Sequence, residues 1–119
     1  MASVLRATIC LCFFTSFTVH AFSGRDLKTA CDSGDRYVLG GSGFKEVGDA
    51  YSGGECIGYI HGVNDALTEG VFCPGGGVTV GEEVKSVRAY LTRHHERLTE
   101  PAGELVREAL ITAYPCAPQ

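Results

Sequence analysis

Four cysteines spread over residues 22–119, Cys31, Cys56, Cys73 and Cys116, constrain this chain more than any other feature. An even number of cysteines in a short exported chain points to a disulfide framework formed in an oxidising compartment. The premise of export comes from residues 1–21, which read as a secretory signal peptide. Arg6 is the only charge there, Ala7 to Val19 is mostly apolar, and Val19-His20-Ala21 supplies a small-x-small cleavage pattern, so processing is expected after Ala21. Cys10 and Cys12 leave with the leader, and neither follows a small residue as a lipid-modified cysteine would.

Residues 22–119 have the length of one domain. Loss of Arg6 leaves fourteen acidic residues against nine basic ones. That balance argues against nucleic-acid binding, which calls for a basic face. No apolar run of eighteen or more follows the leader, so no membrane span is expected in the body of the protein.

Hydrophobic periodicity predicts four helices and an all-α fold. Ser23 and Asp26 have capping-box spacing, and Leu27, Ala30 and Cys31 share one face, so a first helix runs from Ser23 to about Cys31. Residues 32–55 carry seven glycines between Gly34 and Gly54 and read as a long loop, with one helical turn around Phe44 to Tyr51. A second helix is predicted over 55–69, with Cys56, Tyr59, Ile60, Val63 and Leu67 as its buried stripe. Gly58, Gly62 and Ala66 form a second stripe at i, i+4 beside it. Glycine inside a helix costs about 1 kcal/mol relative to alanine, so close approach of another backbone is the expected compensation. A neighbouring helix of the same chain would supply it, and a dimer contact is the functional alternative.

Residues 70–78 form a loop that lacks the lysine and Ser/Thr of a phosphate cradle. Thr79 and Glu82 cap a third helix whose stripe is Val80, Val84, Val87, Tyr90 and Leu91 and which frays near His94-His95. The fourth helix begins at Pro101, buries Ala102, Leu105, Val106, Ala109, Leu110 and Ala113, and stops at Pro115. Four cysteines allow three connectivities. In an up-and-down four-helix bundle, Cys31–Cys56 and Cys73–Cys116 need the least chain distortion; the other two pairings stay open at this stage.

Chemistry for catalysis is sparse. With disulfide partners available, none of the four cysteines suggests a nucleophile. His94 and His95 are sequential and diverge on a helix, and CxxC spacing for zinc is missing, so no metal or cofactor is expected. Glu82, Glu83, Glu96, Glu100, Glu104 and Glu108 read as helix-surface acids, and Gly41-Ser42-Gly43 lacks the nucleophile-elbow pattern. Binding is the better reading, and His94, His95, Glu96, Arg97 and Leu98, mixing charge, imidazole and one apolar group, are the candidate contact residues.

These residues also carry a resemblance. Cys56-Ile57-Gly58-Tyr59-Ile60-His61-Gly62-Val63-Asn64-Asp65-Ala66-Leu67, then Phe72-Cys73-Pro74 with Gly77-Val78-Thr79, then Tyr90-Leu91, His94, Glu96 and Leu98, then Leu105 to Cys116 occur in the order seen in the Rap/Tai immunity proteins. That family protects bacteria against type VI secretion amidase effectors. The resemblance implies a small, helical, disulfide-bonded periplasmic protein, often dimeric. It implies an inhibitor without catalytic activity, which blocks the active-site groove of a peptidoglycan-cleaving cysteine amidase partly with an inserted loop. His95 replaces a usual proline, which predicts a looser turn after the third helix. A general periplasmic chaperone or envelope-stress protein of similar build is the alternative function.

Overall fold

The computed structural model describes residues 20–34, 47–67 and 70–117. Among these residues there are four α-helices and no strand: α1 Gly24–Ser33, α2 Val47–Ala66, α3 Val80–Arg93 and α4 Ala102–Ala113. A 3-10 turn, His95–Arg97, joins α3 to α4. Every helix packs against the other three, as expected for a small all-α bundle around one core.

Both predicted capping boxes are present. Asp26 N–H donates to Ser23 Oγ at 3.3 Å while Ser23 N–H donates to Asp26 Oδ2 at 2.9 Å. Glu82 N–H and Thr79 N–H make the equivalent pair at 3.3 and 2.7 Å. Each box satisfies amide donors that the first turn of a helix leaves without partners. Pro101 is extended and serves as the cap of α4 instead of its first helical residue. Its neighbour Ala102 donates its N–H to Phe22 O at 2.9 Å, outside the helix.

The core is built from Leu27 and Ala30 of α1, Ile60 of α2, Val84, Val87, Tyr90 and Leu91 of α3, and Ala102, Leu105, Val106, Ala109 and Leu110 of α4. Two predicted core positions differ: Val80 and Ala113, at the ends of their helices, are exposed. Glu83, expected on the surface, is buried, and its Oε1 accepts a 2.8 Å hydrogen bond from Asn64 Nδ2 of α2.

The largest correction concerns α2. It begins at Val47 instead of residue 55 and ends at Ala66 instead of 69. The sequence reads as a long loop with one helical turn around Phe44 to Tyr51, whereas the helix runs on without a break through Gly48, Gly53 and Gly54. Cys31 and Cys56 are both fully buried and disulfide-bonded, with Cα atoms 4.9 Å apart. This bond clamps α1 onto α2, and Gly53 is buried directly against Gly34; a Cβ at Gly34 would overlap Gly53 Cα and lie 2.9 Å from its nitrogen. The close backbone approach that glycine permits therefore occurs at Gly34 and Gly53. Gly58 and Gly62, predicted to receive a neighbouring helix of the same chain, have nothing within 4 Å of a built Cβ, and Ala66 is exposed. The rest of the predicted loop, residues 35–46, lies outside the described residues, as do residues 1–19 of the expected leader.

Candidate functional site

The connection between α3 and α4 is held by one side chain. Arg97 uses all five of its guanidinium N–H donors inside the chain. Nε reaches Glu100 Oε1 at 2.8 Å; Nη1 reaches Tyr90 OH at 2.9 Å and Glu108 Oε2 at 2.6 Å; Nη2 reaches Glu100 Oε2 at 2.7 Å and Glu108 Oε1 at 3.1 Å. Tyr90 OH donates in turn to Glu108 Oε2 at 2.6 Å. The planar fork of arginine suits two carboxylates at once, and bidentate charged hydrogen bonds are the strong class. The network spans the end of α3, the turn and the middle of α4.

Electrostatics follow from this geometry. Hydrogen bonds from Arg97 and then Tyr90 hold the Glu108 carboxyl down at about 2. Arg97 likewise lowers Glu100, and its two carboxylate partners, Glu100 first, raise Arg97 further above its already high value. Burial, reinforced by the Glu108 carboxylate, raises the Tyr90 phenol.

Backbone hydrogen bonds close the turn at His95, where the family resemblance implies a usual proline. Arg97 N–H donates to His94 O at 2.9 Å and Glu100 N–H to Arg97 O at 2.9 Å. The first turn of α1 pins the other side: Arg25 N–H donates to Leu98 O at 2.8 Å and Gly24 N–H to Glu100 O at 3.0 Å. A side chain on Gly24 would collide with Leu105 and approach Leu98 Cα to 3.3 Å, so the absence of a Cβ lets α1 sit this close.

The five predicted contact residues thus divide in two. Arg97 and Leu98 are half-buried, the first in the network and the second against the core. His95 and Glu96 are exposed, and His94 stands at the boundary between the two groups, half-buried like Arg97 and Leu98 with 39% of its side chain open. The His94 ring stacks on Tyr90 with centroids 4.3 Å apart. Glu96 lies between the two imidazoles, 3.5 Å from His94 Nδ1 and 3.8 Å from His95 Nδ1. Its own backbone N–H lowers the Glu96 carboxyl, which favours the charged form. His95 is the most exposed of the three, with 79% of its side chain open.

Between the start of α1 and Leu98-Thr99 lies an open cleft of about 550 Å³, lined also by Ser23, Arg25 and Asp26 and, from the expected leader, by His20 and Ala21. The expected processing site after Ala21 therefore borders the same face as the turn. From the sequence, Tyr90 reads as a core residue and Glu100 and Glu108 as helix-surface acids, none of them as part of a site. Arg97 and Glu100 have a readable i, i+3 spacing, but nothing local announces that Glu108, on the next helix, completes the site.

No group of three or more His, Cys, Asp or Glu among the described residues is arranged to hold a metal. No described helix is long and apolar enough to cross a membrane. The second disulfide joins Cys73 to Cys116, with Cα atoms 4.9 Å apart, and ties the 70–79 loop to the end of the chain. The geometry describes a turn hydrogen-bonded to α1, α3 and α4 on a frame cross-linked by two disulfides.

No curated protein matches the sequence significantly. The sequence model of the Rap1a immunity proteins does, over residues 23–116, from the cap of α1 to the last cysteine. With most of the described fold inside that match, the chain belongs to the Rap1a immunity protein family.

Proposed function

We propose that this chain is an exported immunity protein whose α3–α4 turn enters and occludes the active-site groove of a peptidoglycan-cleaving amidase effector of the type VI secretion system. The observation that carries this reading is the Arg97 network, which ties the end of α3, the turn and α4 together behind His94, His95 and Glu96. A preordered loop loses little conformational freedom on binding, so more of the contact energy appears as affinity. Inhibition by occlusion needs no reactive group, only a complementary contact of about 1,200–2,000 Å² in total. Family membership supports the immunity role. The amidase class of the effector comes from the resemblance to Rap/Tai proteins.

In this reading residues 1–21 direct export and are removed near Ala21, and residues 22–119 act as one helical domain in the periplasm. Two disulfides fit an oxidising compartment. Arg97 and Leu98 shape the turn from behind while His94, His95 and Glu96 touch the partner. The open face of α2, with Gly58, Gly62 and Ala66 exposed, is where a second copy would pack if the protein is a homodimer.

Co-expression with a candidate type VI amidase effector tests the proposal. The expected result is relief of periplasmic toxicity and a co-eluting complex on size exclusion. Unchanged toxicity with no complex contradicts it. Suppressed aggregation of unrelated proteins, without tight binding to one amidase, would favour a general chaperone instead.

A further inference from the structure

The two disulfides stand in opposite environments. Cys31 and Cys56 both have 0% exposure and sit among the core residues where α1 meets α2. Cys73 is exposed on the 70–79 loop, and Cys116 is half-buried in the segment after α4. Neither Cys73 nor Cys116 lies in a helix. The backbone around them is lightly tied. Cys73 N–H donates to Tyr114 O at 2.9 Å, Val78 N–H reaches Gly75 O at 3.3 Å, and Gly75, Gly76 and Gly77 have no neighbour within 4 Å of a built Cβ.

Thiol–disulfide exchange requires a thiolate to reach one sulfur in line with the sulfur–sulfur bond. For Cys31–Cys56, both sulfurs are enclosed by packed helices, so attack must wait for an opening of the core. For Cys73–Cys116, an attacker can approach Cys73 from solvent. We infer that Cys73–Cys116 is an exchange site for a protein dithiol of the Cys-x-x-Cys type, while Cys31–Cys56 is closed to it in the folded state. The first thiolate of the dithiol attacks Cys73 Sγ, forming a mixed disulfide and releasing Cys116 as the leaving thiolate. The second thiolate of the dithiol then attacks the mixed disulfide and releases Cys73. The dithiol is oxidised to its disulfide, and two electrons and two protons pass to Cys73 and Cys116. Cys116 Sγ lies 3.4 Å from Gly70 O, so the released sulfur, once protonated, has an acceptor in place. The expected product keeps the clamp between α1 and α2 and removes the covalent tie between Cys116 and the 70–79 loop, leaving the Cys73 N–H to Tyr114 O hydrogen bond as the link there. This exchange is independent of what the α3–α4 turn binds.

The test uses the oxidised mature protein, incubated natively with dithiothreitol, quenched with iodoacetamide at intervals and mapped by peptide mass. The expected result is labelling of Cys73 and Cys116 at least tenfold faster than Cys31 and Cys56, with helical circular dichroism retained in the half-reduced species. Equal rates, or earlier opening of Cys31–Cys56, would overturn the inference. A second arm uses the Cys73→Ser/Cys116→Ser variant. Its remaining disulfide should stay as slow as in the parent; labelling at the rate of the parent's exposed pair would show that the two bonds are not separable. A third arm uses a Cys-x-x-Cys reductase lacking its second cysteine. It should be trapped on Cys73, and trapping on Cys31 or Cys56 in the folded protein counts against the assignment.

Discussion

Arg97 shows how one side chain converts a polar connection into a fixed shape. Its five donors meet Tyr90, Glu100 and Glu108 on both sides of the turn. Arg97→Ala should leave the bundle folded, since the core lies elsewhere, but should release the turn. Partner affinity is then expected to fall by roughly tenfold or more, as for loss of a preordered contact, read by calorimetric titration beside a circular dichroism spectrum. Arg97→Lys should recover little, because a point ammonium cannot bridge two carboxylates bidentately. The network also sets an acid dependence. The folded-state value of Glu108, about 2, lies below its ordinary value. Its contribution is therefore present above the unfolded carboxylate range and is lost as pH falls from about 4.5 toward 2. Glu100 shifts in the same direction. Thermal midpoints measured across that window should fall more steeply for the parent than for Arg97→Met. A second polar pair lies nearer the core: Asn64 Nδ2 is a donor to buried Glu83, whose other oxygen has no partner. Asn64→Ala should cost about 1–3 kcal/mol by leaving the whole carboxyl buried without a hydrogen bond, measured by urea denaturation.

Among the elements, α2 is the informative one because its glycines divide by environment. Gly53 meets Gly34 where the Cys31–Cys56 bond draws two backbones together. Gly34→Ala forces a Cβ into the Gly53 backbone and should destabilise the fold by about 1–3 kcal/mol, the range for overpacking a tight contact. Gly58 and Gly62 face open space, so Gly58→Ala and Gly62→Ala should each raise monomer stability by up to about 1 kcal/mol through helix propensity alone. If that face carries the proposed homodimer, the same substitutions should weaken self-association in analytical ultracentrifugation. The pair of outcomes separates a helix that merely tolerates glycine from one that uses it. The contrast also shows where sequence reasoning reaches its limit. The ends of α1 and α3 were legible because capping boxes are local: Ser23 with Asp26, Thr79 with Glu82. The start of α2 was not, because Gly48, Gly53 and Gly54 speak against a helix locally. For Gly53 the compensation lies across the fold, in Gly34 and the Cys31–Cys56 bond, while Gly48 and Gly54 face open space.

At the scale of the whole molecule, the cysteines gave the correct frame. Pairing by least distortion predicts Cys31–Cys56 and Cys73–Cys116, and both bonds are present. In the chain-entropy account, bonds closing 25 and 43 residues of separation each contribute about 3–4 kcal/mol by restricting the unfolded chain. The α3–α4 turn is legible in the sequence only as a stretch of mixed chemistry. Its division into a holder, Arg97, and an outer rim, His94 to Glu96, depends on Tyr90 and Glu108, which approach it only after α3 and α4 have packed. Sequential charge along a turn cannot reveal which group faces inward. The frame and the turn together are proposed to close the groove of a cell-wall amidase. The most direct measurement is the rate of peptidoglycan cleavage by that amidase as purified mature protein is added. The account predicts loss of cleavage near one equivalent, and a roughly tenfold or greater weakening of inhibition for His94→Ala/His95→Ala/Glu96→Ala, as expected when a central contact is removed. Full cleavage in the presence of excess protein, or inhibition untouched by that triple substitution, would contradict it.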